Sequence, residues 1–152
     1  MKSSILFKQK IYSACLQLLE KRITALSSEL NDLTEGAKND SKSSAGDKHE
    51  TARAMMQIEQ ANIGQQLDGL LKEKNELTNI DIGNKAYVAK GSLIKTNHGY
   101  LFLSIAIGKL IIDDIPVMVL SAQSPIGKKM LGKIKEDVVE INGVKYIVEE
   151  LT

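Results

Sequence analysis

The chain has 152 residues, 20 Lys plus Arg against 19 Asp plus Glu, a formal net charge of +1, 43% hydrophobic residues and one cysteine. That length suits one domain or two small ones rather than a large enzyme with a deep cleft. Near-neutral charge and only 4% aromatics, with no Trp, exclude a phosphate clamp or a base-stacking platform. One Cys and two His residues cannot assemble an internal disulfide or a metal-ligand cluster of the usual spacing, which fits a reducing, cytoplasmic setting.

At the N-terminus, Lys8, Gln9 and Lys10 interrupt the apolar residues after Phe7, so no secretory signal is expected. No window approaches the ~20 apolar residues of a membrane span. The expectation is a soluble chain with Cys15 on a helix flank. Tyr12, Leu16, Leu19, Ile23, Leu26, Leu30 and Leu33 then recur in alternating steps of four and three, the stripe of a helix that packs against another helix.

A polar stretch, Gly36 to Gly46, reads as a turn. Beyond it Met56, Ile63, Leu70 and Leu77 recur every seven residues, with Leu67 at an intermediate position and polar Gln60 and Lys74 at others. Two such helices joined by so short a connection bury their stripes by folding back as an antiparallel hairpin. A helix of about 28 residues makes an arm roughly 42 Å long. Part of that arm should project into solvent, with its tip within residues 41–52.

From Ala86 the period changes to that of strands. Tyr87 to Ile94, Tyr100 to Ile107 and Ile115 to Leu120 are rich in β-branched and aromatic residues between Gly, Asn or Asp. Ser124 and Pro125 suit the N-cap and first position of a short helix. Val138 to Val148 reads as a hairpin around Asn142-Gly143, since a type I′ turn needs positive φ at both central residues. The fold class is α+β: an N-terminal coiled-coil hairpin over 1–80, then a small β-sheet domain with one short helix over 81–152.

Chemistry concentrates at the arm's tip, Gly46-Asp47-Lys48-His49-Glu50-Thr51-Ala52. Asp47 and Glu50 stand three apart, on one side of a helix start. Two exposed carboxylates so placed can share a Mg²⁺ whose remaining ligands are water and phosphate, binding it weakly unless another macromolecule completes the shell. The same pair also reads as a capping box, and the two readings are compatible. His49 reads as a solvated surface residue.

This tip resembles the Gly-Asp-x-x-Glu-Asn-Ala of the bacterial Gre-type transcript cleavage factors. Ser124-Pro125-Ile126-Gly127-Lys128-Lys129-Met130-Leu131-Gly132-Lys133, followed by Asp137-Val138-Val139, is similar to that family's Ser-Pro-Ile helix and next strand. The resemblance implies a coiled coil with an acidic tip and an FKBP-like C-terminal domain. It also implies docking on the rim of the RNA polymerase secondary channel, with the coil inserted toward the active centre. Asp47 and Glu50 would there help position a Mg²⁺ shared with the polymerase, whose own site hydrolyses backtracked RNA, while Ser124 and Pro125 would sit at the polymerase contact. On this reading the protein is an accessory factor rather than an enzyme, reaches RNA only through the polymerase, and works as a monomer, although the heptad stripes leave room for self-association.

The chain departs from the family around the acidic pair, with Lys48 after the Asp and Thr51-Ala52-Arg53-Ala54 at the second helix start. A non-cleaving secondary-channel regulator of transcription is therefore the alternative function. Prolyl isomerase chemistry would need an aromatic-lined pocket, and the second half offers only Tyr87, Tyr100, Phe102 and Tyr146.

Overall fold

The heptad pattern becomes two long helices, α1 (Lys2–Asp40) and α2 (Asp47–Thr78). The structure, a computed structural model, describes residues 2–40 and 47–152, with side chains described at 4–36 and 50–152. Of the stretch read as a turn, Gly36 to Asp40 continues α1, since one glycine costs a helix only about 1 kcal/mol. Residues 41–46, the remainder of that turn, lie outside the described residues.

Within the described residues the chain divides into two compact units, Gln17–Asn75 and Met1–Leu16 together with Glu76–Thr152. The first is the helical hairpin. Leu19 and Ile63 are fully buried along its seam, and Ile23, Leu26, Leu30, Leu33, Met56, Leu67 and Leu70 are half-buried. The helices run antiparallel: Lys74 lies 3.7 Å from Glu20, while a Cβ on Gly36 would touch Met56.

The second unit holds a six-stranded mixed sheet formed by β1 (Leu93–Thr96), β2 (Gly99–Ser104), β3 (Gly108–Ile112), β4 (Ile115–Ser121), β5 (Val138–Ile141) and β6 (Val144–Leu151). Its order is β3-β4-β2-β1-β6-β5, antiparallel except for the parallel β2–β4 pair. One core cluster includes Ile94, Leu101, Leu103, Leu120, Val139 and Val148 from the strands and Met130 from the short helix α3 (Pro125–Met130). Phe102, Val117 and Val119 alternate with that set along β2 and β4 and are also buried. Phe7 of α1 meets Tyr100 of β2 edge to face, with centroids 5.2 Å apart.

Three strand expectations differ from the structure, the first being Tyr100 to Ile107, which ends at Ser104 as β2 before the bend at Ile105 and Ala106. The expected strand Tyr87 to Ile94 begins only at Leu93: Val88 N–H donates to Lys133 O outside the sheet, and Gly91, at φ 93°, reaches Leu103 O of β2 ahead of the regular register. The strand β3 was not expected. Its hairpin turn is Asp113-Asp114, both at positive φ (52° and 64°), a less recognisable pair than the Asn142-Gly143 turn (53° and 80°), which forms as expected. Pro116 is tolerated in β4 because the two-residue turn makes Ile112–Ile115 the hydrogen-bonded pair, leaving Ile111–Pro116 a pair that exchanges no bonds. Parallel pairing with β2 begins one residue later, at Val117.

The buried face of α1 also changes along its length. In the hairpin it follows the expected stripe, but before Leu16 the fully buried residues are Lys8, Ile11 and Cys15, with Tyr12 half-buried. Cys15 is thus interior rather than on a flank.

Candidate functional site

The acidic pair sits where a helix begins. α2 starts at Asp47, so Asp47 and Glu50 share its first turn, immediately after the hairpin connection. Glu50 is exposed, as are Thr51, Ala52 and Arg53. The side chains of Asp47, Lys48 and His49 lie outside the described residues. Two hard oxygen donors are the right chemistry for Mg²⁺ and too few to enclose it. Among the described residues no group of three or more His, Cys, Asp or Glu side chains could hold a metal ion.

The second predicted locus is built tightly. Ser124, in extended conformation (φ −64°, ψ 157°), caps α3: its Oγ accepts from Gly127 N–H at 3.1 Å and donates to Ser121 O at 2.6 Å. Pro125 takes the first helical turn, where its missing N–H costs nothing. Gly127 is required by this arrangement, since a Cβ there would lie 2.2 Å from Ser121 O. Ser124 is half-buried with its hydroxyl engaged inside, whereas Pro125 is exposed. Lys129 follows on the same helix and donates to Glu140 O on β5 at 2.9 Å.

A third locus was missed in the sequence because its central residue is charged. Lys8 is fully buried, and its Nζ donates to Gly83 O at 2.9 Å and Gly91 O at 3.0 Å. Burial pushes its pKa down to about 8, repulsion from Lys85 adds to this, and the Asp81 carboxylate partly opposes it. Asp81 itself is held below the usual carboxylate range, first by the Gly83 N–H at 2.8 Å and then by Lys85 at 3.1 Å. No sequence pattern announces this site; only a lysine at helical spacing from Ile11 and Cys15 hints at it. Burial alone pushes the Cys15 thiol up to about 12, with a small opposing backbone hydrogen bond.

The four aromatics of the second half share no pocket. Phe102 is buried, Tyr87 is exposed, and Tyr100 and Tyr146 meet Phe7 and His98 edge to face. No helix among the described residues is long and apolar enough to cross a membrane.

No family model matches the chain, and no curated protein sequence matches it. The solved structure of the transcription factor Gfh1 is similar at 17% sequence identity, over 90% of this chain and 92% of that one, with a TM-score of 0.35. The architecture is α+β, a long helical hairpin with a mixed sheet and one short helix.

Proposed function

We propose that this protein is an RNA polymerase accessory factor that enters the secondary channel and stimulates cleavage of backtracked RNA by the polymerase's own active site. The observation that carries this reading is the position of Asp47 and Glu50, one turn apart in the first turn of α2 at the closed end of a long helical hairpin. A hairpin segment from Asp47 to Asn75 extends about 42 Å at helical rise, long enough to carry a carboxylate pair down a narrow channel. The resemblance of the Gly46 to Ala52 and Ser124 to Val139 segments to the Gre-type factors supports the same assignment.

Asp47 and Glu50 would hold a Mg²⁺ shared with the polymerase, an ion that when bound stabilises the attacking and leaving oxygens of phosphodiester hydrolysis. The work of this chain is positional. Helix α2 places Asp47 and Glu50 in its first turn, and the hairpin would carry them toward the active centre. Ser124 sets the start of α3 and so orients Pro125, whose exposed ring offers the polymerase a contact.

One observation favours the alternative of a regulator that occupies the channel without cleaving. Lys48 and Arg53 accompany Asp47 and Glu50 within seven residues, so the tip segment has no net charge apart from His49 and attracts a cation less. A single experiment separates the readings. The protein is added to a halted, backtracked elongation complex with Mg²⁺ while the RNA 3′ end is followed. Fragment release that is abolished by Asp47→Asn or Glu50→Gln, with polymerase binding retained, supports cleavage. Binding without release supports the regulator, and absence of binding removes both.

A further inference from the structure

We propose that the free edge of β3 is an interface for a second copy of this chain, joining two sheets antiparallel about a twofold axis at Leu110. The strand lies at one end of the sheet order, with β4 on one side and, among the described residues, no strand on the other. Because Ile112–Ile115 flank a two-residue turn, the hydrogen-bonded pairs with β4 fall at Gly108, Leu110 and Ile112. The N–H and C=O groups of Lys109 and Ile111 therefore point away from β4 along an open edge.

The side chains beside that edge are apolar and exposed: Ile111 is 64% and Met118 42% exposed, with exposed Pro116 between them in the pairing. An exposed isoleucine on an edge strand invites pairing, and exposed Lys109 is the one charge in β3 that guards against it. The opposite edge is treated differently. There β5 packs against α3, and Lys129 occupies the Glu140 carbonyl.

Self-pairing is what this edge fits best. A twofold axis at Leu110 sets Lys109 opposite the second copy's Ile111, and these are the two residues whose backbone groups face outward, so all of them find partners. Leu110 then faces the second copy's Leu110 in a pair without hydrogen bonds, where side chains approach closely. The lysine stem lies over the isoleucine and no like charges face each other. Identical patches meeting in this way make a closed, isologous dimer. With so few residues the interface is small, and the expected dissociation constant falls at about 10 µM to 1 mM.

The test uses the full chain in sedimentation velocity over that concentration range, with amide hydrogen exchange read in parallel. Dimer formation should protect the Lys109 and Ile111 amides and leave the already bonded Leu110 amide unchanged. Ile111→Pro removes only an outward donor and should weaken association about tenfold or more. Ile111→Lys, which keeps the donor but sets two lysines opposite each other, should also disrupt it, and adding Lys109→Glu should restore it through paired opposite charges. Thermal unfolding of each variant confirms that the sheet is intact. A wild-type chain that stays monomeric throughout, including one whose β3 amides are protected only by polymerase, overturns the proposal. So does a dimer indifferent to the Ile111 substitutions. Neither result depends on the cleavage assay.

Discussion

Lys8 Nζ donates to the carbonyl of Gly91 at 3.0 Å, across 83 positions of sequence, and to Gly83 O at 2.9 Å. This one side chain ties the start of α1 to the segment that leads from α2 into the sheet. Without Lys8 the carbonyl of buried Gly91 would lose this donor, whereas Gly83 is exposed to water.

The depressed pKa of Lys8 sets the sign of a pH effect. Burial lowers it from 10.5 to about 8, so between those values the unfolded chain binds more protons than the folded one. Its contribution to stability is flat below about pH 8 and rises as pH climbs toward 10.5. Lys8→Met abolishes that rise and leaves the buried Gly91 carbonyl short of a donor, at about 1–3 kcal/mol. Urea unfolding of both proteins at pH 7 and pH 10 should show a larger penalty for Lys8→Met at the higher pH. An equal penalty would contradict the depressed pKa.

Gly91 should tolerate no side chain. It adopts φ +93°, and a Cβ would lie 2.1 Å from the Asp81 carbonyl oxygen. Left-handed strain and overpacking together predict that Gly91→Ala destabilises by about 2–5 kcal/mol. Gly64 is the internal control: it lies within α2 with nothing within 4 Å of the added carbon. Gly64→Ala should stabilise by about 0.5–1 kcal/mol in the same chemical denaturation experiment.

Ser124 and Pro125 separate structure from contact. Ser124→Ala removes the cap of α3 and should cost about 0.5–2 kcal/mol in unfolding. Pro125→Ala removes an exposed ring and should change stability by less than about 0.5 kcal/mol while weakening polymerase binding. Unaltered affinity of Pro125→Ala in a pulldown with core polymerase would remove the contact assignment.

Cys15 should behave as an inert core residue. It is fully buried with its thiol pushed up to about 12. At pH 8 the native protein should resist iodoacetamide, and unfolding in urea should release normal reactivity. Fast native alkylation, followed by mass spectrometry, would show that the first turns of α1 open readily.

Pattern was legible where one physical constraint dominates. The a/d stripe from Leu19 to Leu33 marked the hairpin because helix–helix packing imposes a period on apolar residues. Asn142-Gly143 marked its turn because few dipeptides accept two positive φ values, and Ser124-Pro125 marked a helix start because a cap and a missing N–H belong there. Asp113-Asp114 concealed a strand, since aspartates occur in turns and loops of many kinds and do not by themselves mark two positive φ values.

The sequence alone determined local periods, turn chemistry and the spacing of Asp47 and Glu50, because these depend on neighbours along the chain. Tertiary structure decided the sheet order, including the parallel β2–β4 pair, the free edge of β3 and the burial of Lys8. A lysine reads as solvent-facing until distant carbonyls converge on it, and an edge exists only once every other strand has found its partner. Both depend on contacts between segments far apart in the chain, which a linear pattern does not record.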